Sequence, residues 1–270
     1  MFEEGYEDLG EYCFRFMMNK GAIEEFLKAN GIRIRVTSYE KTAKELRASG
    51  SFIISIDQIR NFVRKKWVGT DIGYHLINLK SGLLEGHNWH GSMPSFLHLS
   101  FQNKVREWIS QGKKLKELLK VGEDVMKQEY FIVATHDLSE TTIIKSVDDV
   151  IPSIAQKGVS DFVFKGIPYD LKNSGVPNGW SFSEAKDSPA EFASSLIGGA
   201  DVERLRKQAN NSINNWGLNR FYVILKDTDD WLKKPEDVLE KIKRNTSNLG
   251  NPIRVSEEDL SITCQLLYVD

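Results

Sequence analysis

Ser160-Asp161-Phe162-Val163-Phe164-Lys165, then Gly166-Ile167, then Pro168-Tyr169-Asp170-Leu171-Lys172-Asn173-Ser174 is the stretch that organises this chain. Two short runs containing aromatic and branched residues flank a glycine turn, which is the pattern of a β-hairpin. Side chains alternate between faces along a strand. With Gly166-Ile167 as a two-residue turn, Lys165 faces Pro168, Val163 faces Asp170 and Asp161 faces Lys172. Cross-strand partners share a face. Asp161, Asp170 and Lys172 then gather on one side, with Asp161 diagonal to Asp170. Phe162, Phe164, Tyr169 and Leu171 leave from the other side and suit a core. A one-residue slip of the pairing would destroy this division.

Working outward, Tyr130 to Thr135 is a short apolar run that reads as a buried strand. Ser146 to Gln156 reads as a helix, with a Ser cap and Asp148 and Asp149 in its first turn. After the hairpin, Gly175 to Pro189 reads as loop and Asp201 to Trp216 as a polar helix. Phe221 to Leu225 reads as a strand, Pro235 to Arg244 as a helix and Ser261 to Val269 as a closing strand. Helices interleaved with strands predict α/β layers around a mixed sheet. Before residue 128 the pattern is mainly helical: Glu11 to Asn30, Ser38 to Ser49, Ser55 to Lys66, and Phe101 to Met126 with a break near Gly112. Two parts are expected. Residues 1–127 form a mainly helical region for recognition or oligomerisation, and residues 128–270 form an α/β core.

Composition narrows the class. The 270 residues are 40% hydrophobic and 27% charged, which is a globular balance. No stretch approaches the roughly 20 apolar residues that cross a bilayer. The start, Met1-Phe2-Glu3-Glu4, lacks a basic-then-apolar leader, so a cytoplasmic protein without membrane partners is expected. Two cysteines, Cys13 and Cys264, are too few for a disulfide framework or a zinc site of their own. A net charge of −2 does not announce a nucleic-acid binder, but a local basic face would suffice for one.

Two carboxylates and an ammonium clustered on a sheet face are costly as mere structure. Paired carboxylates make a hard oxygen site for Mg²⁺, with Mn²⁺ as substitute. Such an ion activates water and neutralises phosphodiester charge, and a neighbouring lysine stabilises charge that develops in the reaction. Here the sequence resembles the PD-(D/E)XK nuclease superfamily, which includes most type II restriction endonucleases. Ser160-Asp161 stands where the family has Pro-Asp, and Asp170-Leu171-Lys172 follows on the next strand. The resemblance covers roughly residues 145–226. It implies a restriction-endonuclease-like core, with a mixed central sheet flanked by helices. It also implies Asp161 and Asp170 as metal ligands, Asp161, Asp170 and Lys172 as catalytic residues, and double-stranded DNA as substrate, cut to 5′-phosphate and 3′-hydroxyl ends. A homodimer is left open. Many members carry a glutamate on the helix before the first acid. The helix expected at Ser146 to Gln156 offers none, and Glu140 lies just upstream. The alternatives are a non-catalytic DNA-binding or assembly protein that retains the fold, and a structure-specific repair or recombination nuclease.

Other stretches are weaker. Arg204, Lys207 and Gln208 sit on the polar helix after the hairpin and suit phosphate and base-edge contacts. Arg60, Arg64, Lys65 and Lys66 make a basic segment that suits either DNA or solvent, as do Lys113, Lys114, Lys116 and Lys120. Glu85, His87 and His90 form a glycine-flanked knot that suits a loop reaching a groove or partner better than a metal site. His136 is expected after a strand, and a lone histidine is usually structural.

Overall fold

The computed structural model describes residues 9–48, 55–80, 103, 106–107, 109–112, 114–155, 160–197, 219–257 and 260–270. Its centre is a mixed six-stranded sheet: β1 (Ile151–Pro152), β2 (Phe162–Phe164), β3 (Ile167–Gly175), β4 (Arg220–Leu225), β5 (Ile253–Glu257) and β6 (Leu260–Val269). The order across the sheet is β1-β2-β3-β4-β6-β5. The β3–β4 and β4–β6 pairs are parallel and the other pairs antiparallel. The chain is thus α/β with helices on both faces of the sheet. β4 is buried along its whole length, as expected of a parallel strand between two helical layers. Among the described residues, no helix is long and apolar enough to cross a membrane.

One sheet face carries Phe162, Phe164, Tyr169, Leu171, Phe221, Val223, Leu225, Leu267 and Val269. It packs against Ala134, Leu138, Ile143 and Ile144 of the helix Leu115–Ser146 and Val238, Leu239 and Ile242 of the helix Pro235–Asn245. Phe221 stands at the middle, with ring centroids 5.4 Å from Phe162 and 5.8 Å from Tyr169. The opposite face, with Tyr222, Ile224, Cys264 and Leu266, packs on Ala185, Phe192, Ala193 and Ile197. N-terminal helices cover the β1–β2 edge through Phe14, Met17, Phe26, Ile59 and Val63, against Ile151 and Val163. The Tyr12 hydroxyl and Ser160 Oγ, 2.8 Å apart, tie that layer to the start of the acidic strand.

The hairpin forms with the expected faces but a different turn. Lys165-Gly166 make it, with φ of 49° and 79°, the two positive values that a type I′ turn needs. Val163 therefore faces Pro168 rather than Asp170. A shift of two residues keeps every side chain on its face.

Four further expectations fail. Tyr130 to Thr135 is no strand; it lies inside the 32-residue helix Leu115–Ser146, which also runs through residues 127 and 128. Ala134, Leu138 and Thr142 recur at one helical turn and are buried, whereas Ile132 is 52% exposed. That period extends beyond the apolar run itself. Ser146 to Gln156 is no helix: Ser146 ends the long helix, Asp148-Asp149 turn, and Ile151-Pro152 pair with β2. Gln156 lies outside the described residues. Gly175 to Pro189 is not all loop. Ser181 and Glu184 form a reciprocal capping box that starts the helix Phe182–Asp187, and Pro189–Ile197 follows. The Glu11 to Asn30 segment is interrupted as well: Asn19 accepts the Ala22 N–H at 2.9 Å and restarts the helix as Lys20–Ala29. The helix Ile72–Lys80 and strand β5 carry no expectation from sequence.

Most of the basic segment at Arg60 to Lys66 is consumed internally. Arg60 pairs with Asp57 and Asp149, and Lys66 with Glu25. Arg64 donates to three carbonyls at the end of the long helix: Ile144 at 2.9 Å, Val147 at 2.9 Å and Val150 at 3.0 Å. A cation there also faces the negative end of the helix dipole. Arg64→Ala is expected to cost about 2 kcal/mol of stability, the scale of charged hydrogen bonds lost from a half-buried site. Urea denaturation measures it, and an unchanged midpoint would mean that water replaces all three bonds.

Candidate active site

The site begins just before β2. Asp161 precedes β2, and its N–H still donates to the Tyr169 carbonyl at 2.9 Å. Its side chain then takes over the ladder: Oδ2 accepts the Leu171 N–H at 2.6 Å. The carboxylate is thereby fixed beside β3.

The long helix supplies the second wall. His136 and Glu140 are one turn apart and so share a face. His136 Nε2 lies 3.4 Å from Asp161 Oδ2, and its Nδ1 lies 3.9 Å from Glu140 Oε2 and 3.4 Å from Asp137 Oδ1. One ligand atom each from His136, Glu140 and Asp161 fall within 4.8 Å of one another. This donor set fits a divalent cation: two carboxylates and an imidazole, only partly buried, with side-chain exposures of 20–27%.

A second cluster adjoins it on β3 and β4. Asp170 and Arg220 are direct neighbours across the parallel pair. Lys172 Nζ lies 2.7 Å from both Asp170 oxygens, and Arg220 Nη1 lies 3.0 Å from Oδ2. The structure thus gathers Asp161 with His136 and Glu140, and Asp170 with Lys172 and Arg220. The charge of Lys172 acts on Asp161, which joins the two clusters electrostatically.

Charge is strongly redistributed here. Burial opposes the His136 cation, but hydrogen bonds to Asp137 and Asp161 and the charges of Asp161 and Glu140 outweigh it, lifting its pKa to about 10. Burial and then the Asp161 charge push Glu140 up to about 8, with His136 only partly offsetting them. Asp161 goes the other way: burial is overcome by the hydrogen bond and charge of His136, the Leu171 N–H and Lys172, and its pKa falls below the ordinary 3.8. Perturbed titratable groups gathered this closely make the cluster a functional-site candidate.

A pH dependence follows for the metal-free protein. His136 has a raised pKa, so its stabilisation is complete below 6.5 and is lost as pH climbs through 10. Glu140 keeps a proton in the fold that the unfolded chain releases above 4.5, so its ionisation also erodes stability until about pH 8. Asp161 acts only in acid, where its contribution is lost as pH falls through its depressed pKa. The melting temperature should therefore fall between pH 6.5 and 8. A level or rising profile would show that Glu140 and His136 are not held beside Asp161 as drawn.

The three residues expected at the site, Asp161, Asp170 and Lys172, are all described. Arg204, Lys207, Gln208, Glu85, His87, His90 and Lys113 lie outside the described residues. Sequence reasoning took His136 as a structural histidine after a strand and did not select Arg220. His136 and Glu140 become visible once residues 130–135 are read as helix, because the i, i+4 spacing then sets them on one face. Arg220 carries a weaker signal, a lone cation opening the apolar run of β4. No family model, curated protein or solved structure matches this chain.

Proposed function

We propose that the chain is a metal-dependent endonuclease that hydrolyses DNA phosphodiesters, with a restriction-endonuclease-like core and the character of a type II restriction enzyme. The observation that carries this reading is Glu140, brought from the helix before the hairpin to the carboxylate of Asp161, beside an Asp-x-Lys strand. The order of helix glutamate, acidic strand and Asp170-Leu171-Lys172 strand is the one the superfamily resemblance implies. Asp161 is its metal-binding acid with Glu140 beside it, and Asp170, the second acid that the resemblance implies, lies on the next strand between Lys172 and Arg220.

A bound Mg²⁺ or Mn²⁺ supplies an activated water and charge neutralisation at phosphorus. The chain's own residues do the rest. Asp161 is positioned by the Leu171 N–H, so it needs no reorganisation to act. Asp170 holds Lys172 in place, and Lys172 offers an ammonium to the charge that develops on the phosphoryl oxygens. Double-stranded DNA is the substrate, read by parts of the chain outside this site.

Incubation with supercoiled plasmid in Mg²⁺ or Mn²⁺, with EDTA as control, tests the activity. Discrete fragments support a restriction enzyme, and branch-dependent cuts point instead to a repair nuclease. Lys172→Ala should slow single-turnover cleavage by on the order of a hundredfold, the typical loss for one positioned donor, while DNA binding persists. Cleavage at the wild-type rate in that variant would remove the hairpin from catalysis.

A further inference from the structure

We propose that His136 is a direct ligand in the metal site it forms with Glu140 and Asp161, and that this site therefore prefers a divalent transition ion to Mg²⁺. The proposal rests on reading the site as metal-binding, but not on its cleaving DNA.

The ring is placed for this role. Its Nε2 lies 3.4 Å from Asp161 Oδ2. Ligands at right angles around an ion with bonds of about 2.1 Å stand roughly 3.0 Å apart, so these two donors need to close by only a few tenths of an ångström. Glu140 sits one helical turn further on; its Oε2 lies 3.9 Å from the ring's Nδ1, and one donor atom from each of the three residues falls within 4.8 Å of the others. The other ring nitrogen, Nδ1, points at Asp137 Oδ1, 3.4 Å away. A carboxylate on the far nitrogen of a metal-binding histidine fixes the tautomer and leaves the near nitrogen's lone pair for the ion. Asp137 would thus be a positioning residue rather than a ligand.

Imidazole changes which ion the site favours. Carboxylates alone suit Mg²⁺ and Mn²⁺, whereas imidazole strengthens binding along the series from Mn²⁺ to Co²⁺ and Ni²⁺. Three protein ligands leave further positions for water and for an oxygen of the substrate.

The competing role for His136 is a fixed cation that balances Glu140 and Asp161. The two roles predict opposite signs. Removing a ligand weakens metal binding, whereas removing a competing cation tightens it. Calorimetric titration of the full chain with Mg²⁺, Mn²⁺ and Co²⁺, each alone, decides between them. Wild type should bind Co²⁺ at least about tenfold more tightly than Mg²⁺. His136→Ala should lose at least about tenfold in Co²⁺ affinity and much less in Mg²⁺ affinity, so that the preference collapses. His136→Gln, checked for folding by circular dichroism, serves if the alanine variant is unstable. Pulsed electron paramagnetic resonance of wild type with Mn²⁺ needs no variant and should show coupling to a directly bound nitrogen. Equal or tighter Co²⁺ binding in His136→Ala overturns the proposal. If Asp161→Asn abolishes binding in the same series, that result still leaves the carboxylate site of the nuclease reading standing. Absence of any divalent binding by wild type overturns both.

Discussion

For the proposed nuclease, Asp161→Asn should slow metal-supported cleavage of a short DNA duplex by at least about a thousandfold under single-turnover conditions, equivalent to about 4 kcal/mol of transition-state stabilisation. Asp161 is the residue on which the two halves of the site converge. It lies beside His136 and Glu140 in the candidate metal cluster, and it feels the charge of Lys172 from the next strand. Asparagine keeps the shape and an acceptor oxygen for the Leu171 N–H, so the β2–β3 junction should survive. What it loses is the negative charge that a hard cation requires. Calorimetry with Mn²⁺ and circular dichroism should accompany the rate measurement. A folded variant that cleaves within tenfold of wild type would take Asp161 out of the reaction.

The faces of the hairpin are legible in sequence because strand alternation is a strict two-residue period. Phe162, Phe164, Tyr169 and Leu171 fall on one side in any register that differs by two, so misplacing the turn leaves the site intact. The turn itself is harder to read. Gly166 fits either the first position of one tight turn or the second of another, and the structure resolves the choice by putting Lys165 at positive φ. Lysine has no local signal for that conformation. β4, the helix Pro235–Asn245 and β6 are also legible, since their apolar runs or helical spacing are long and carry clear boundaries.

Residues 130–146 show the opposite case. Phe131, Ile132 and Val133 are strand-favouring residues when taken six at a time, and tertiary burial of Ala134, Leu138 and Thr142 decides for helix. That single misreading conceals the candidate metal cluster. In a strand, His136 and Glu140 have no reason to meet; on a helix they are neighbours. The acidic pair Asp148-Asp149 reads as the first turn of a helix, yet it follows a helix end that Arg64 caps from another segment. No local rule contains that information, because the cap comes from a residue more than eighty positions away.

Arg220→Ala should destabilise the fold by about 3–5 kcal/mol, the range for breaking a buried ion pair from one side. The Arg220 side chain is only 3% exposed, so its charge has almost no access to water. Its Nη1 reaches Asp170 Oδ2 at 3.0 Å and the Asn219 carbonyl at 3.3 Å. Alanine removes these bonds and leaves a hole between Asp170 on β3 and Cys264 on β6, the residues that flank Arg220 in the sheet. Lys172 still neutralises Asp170, which places the expected cost nearer the lower figure. Arg220→Met keeps most of the volume and should cost less than alanine. Arg220→Lys replaces a planar fork by a point charge and tests whether geometry or charge matters more. A double-mutant cycle with Asp170→Asn, read by urea denaturation, separates the pair from the cavity. Removing both charges should recover part of the loss, because neither partner is then left buried and uncompensated. The same cycle bears on the proposed chemistry, since Arg220 and Lys172 share Asp170 as their partner and Arg220 helps to fix that carboxylate. Arg220→Met should therefore slow cleavage even at temperatures where it is fully folded. A variant as stable and as active as wild type would show that the β3–β4 cation neither anchors the sheet nor sets the lysine.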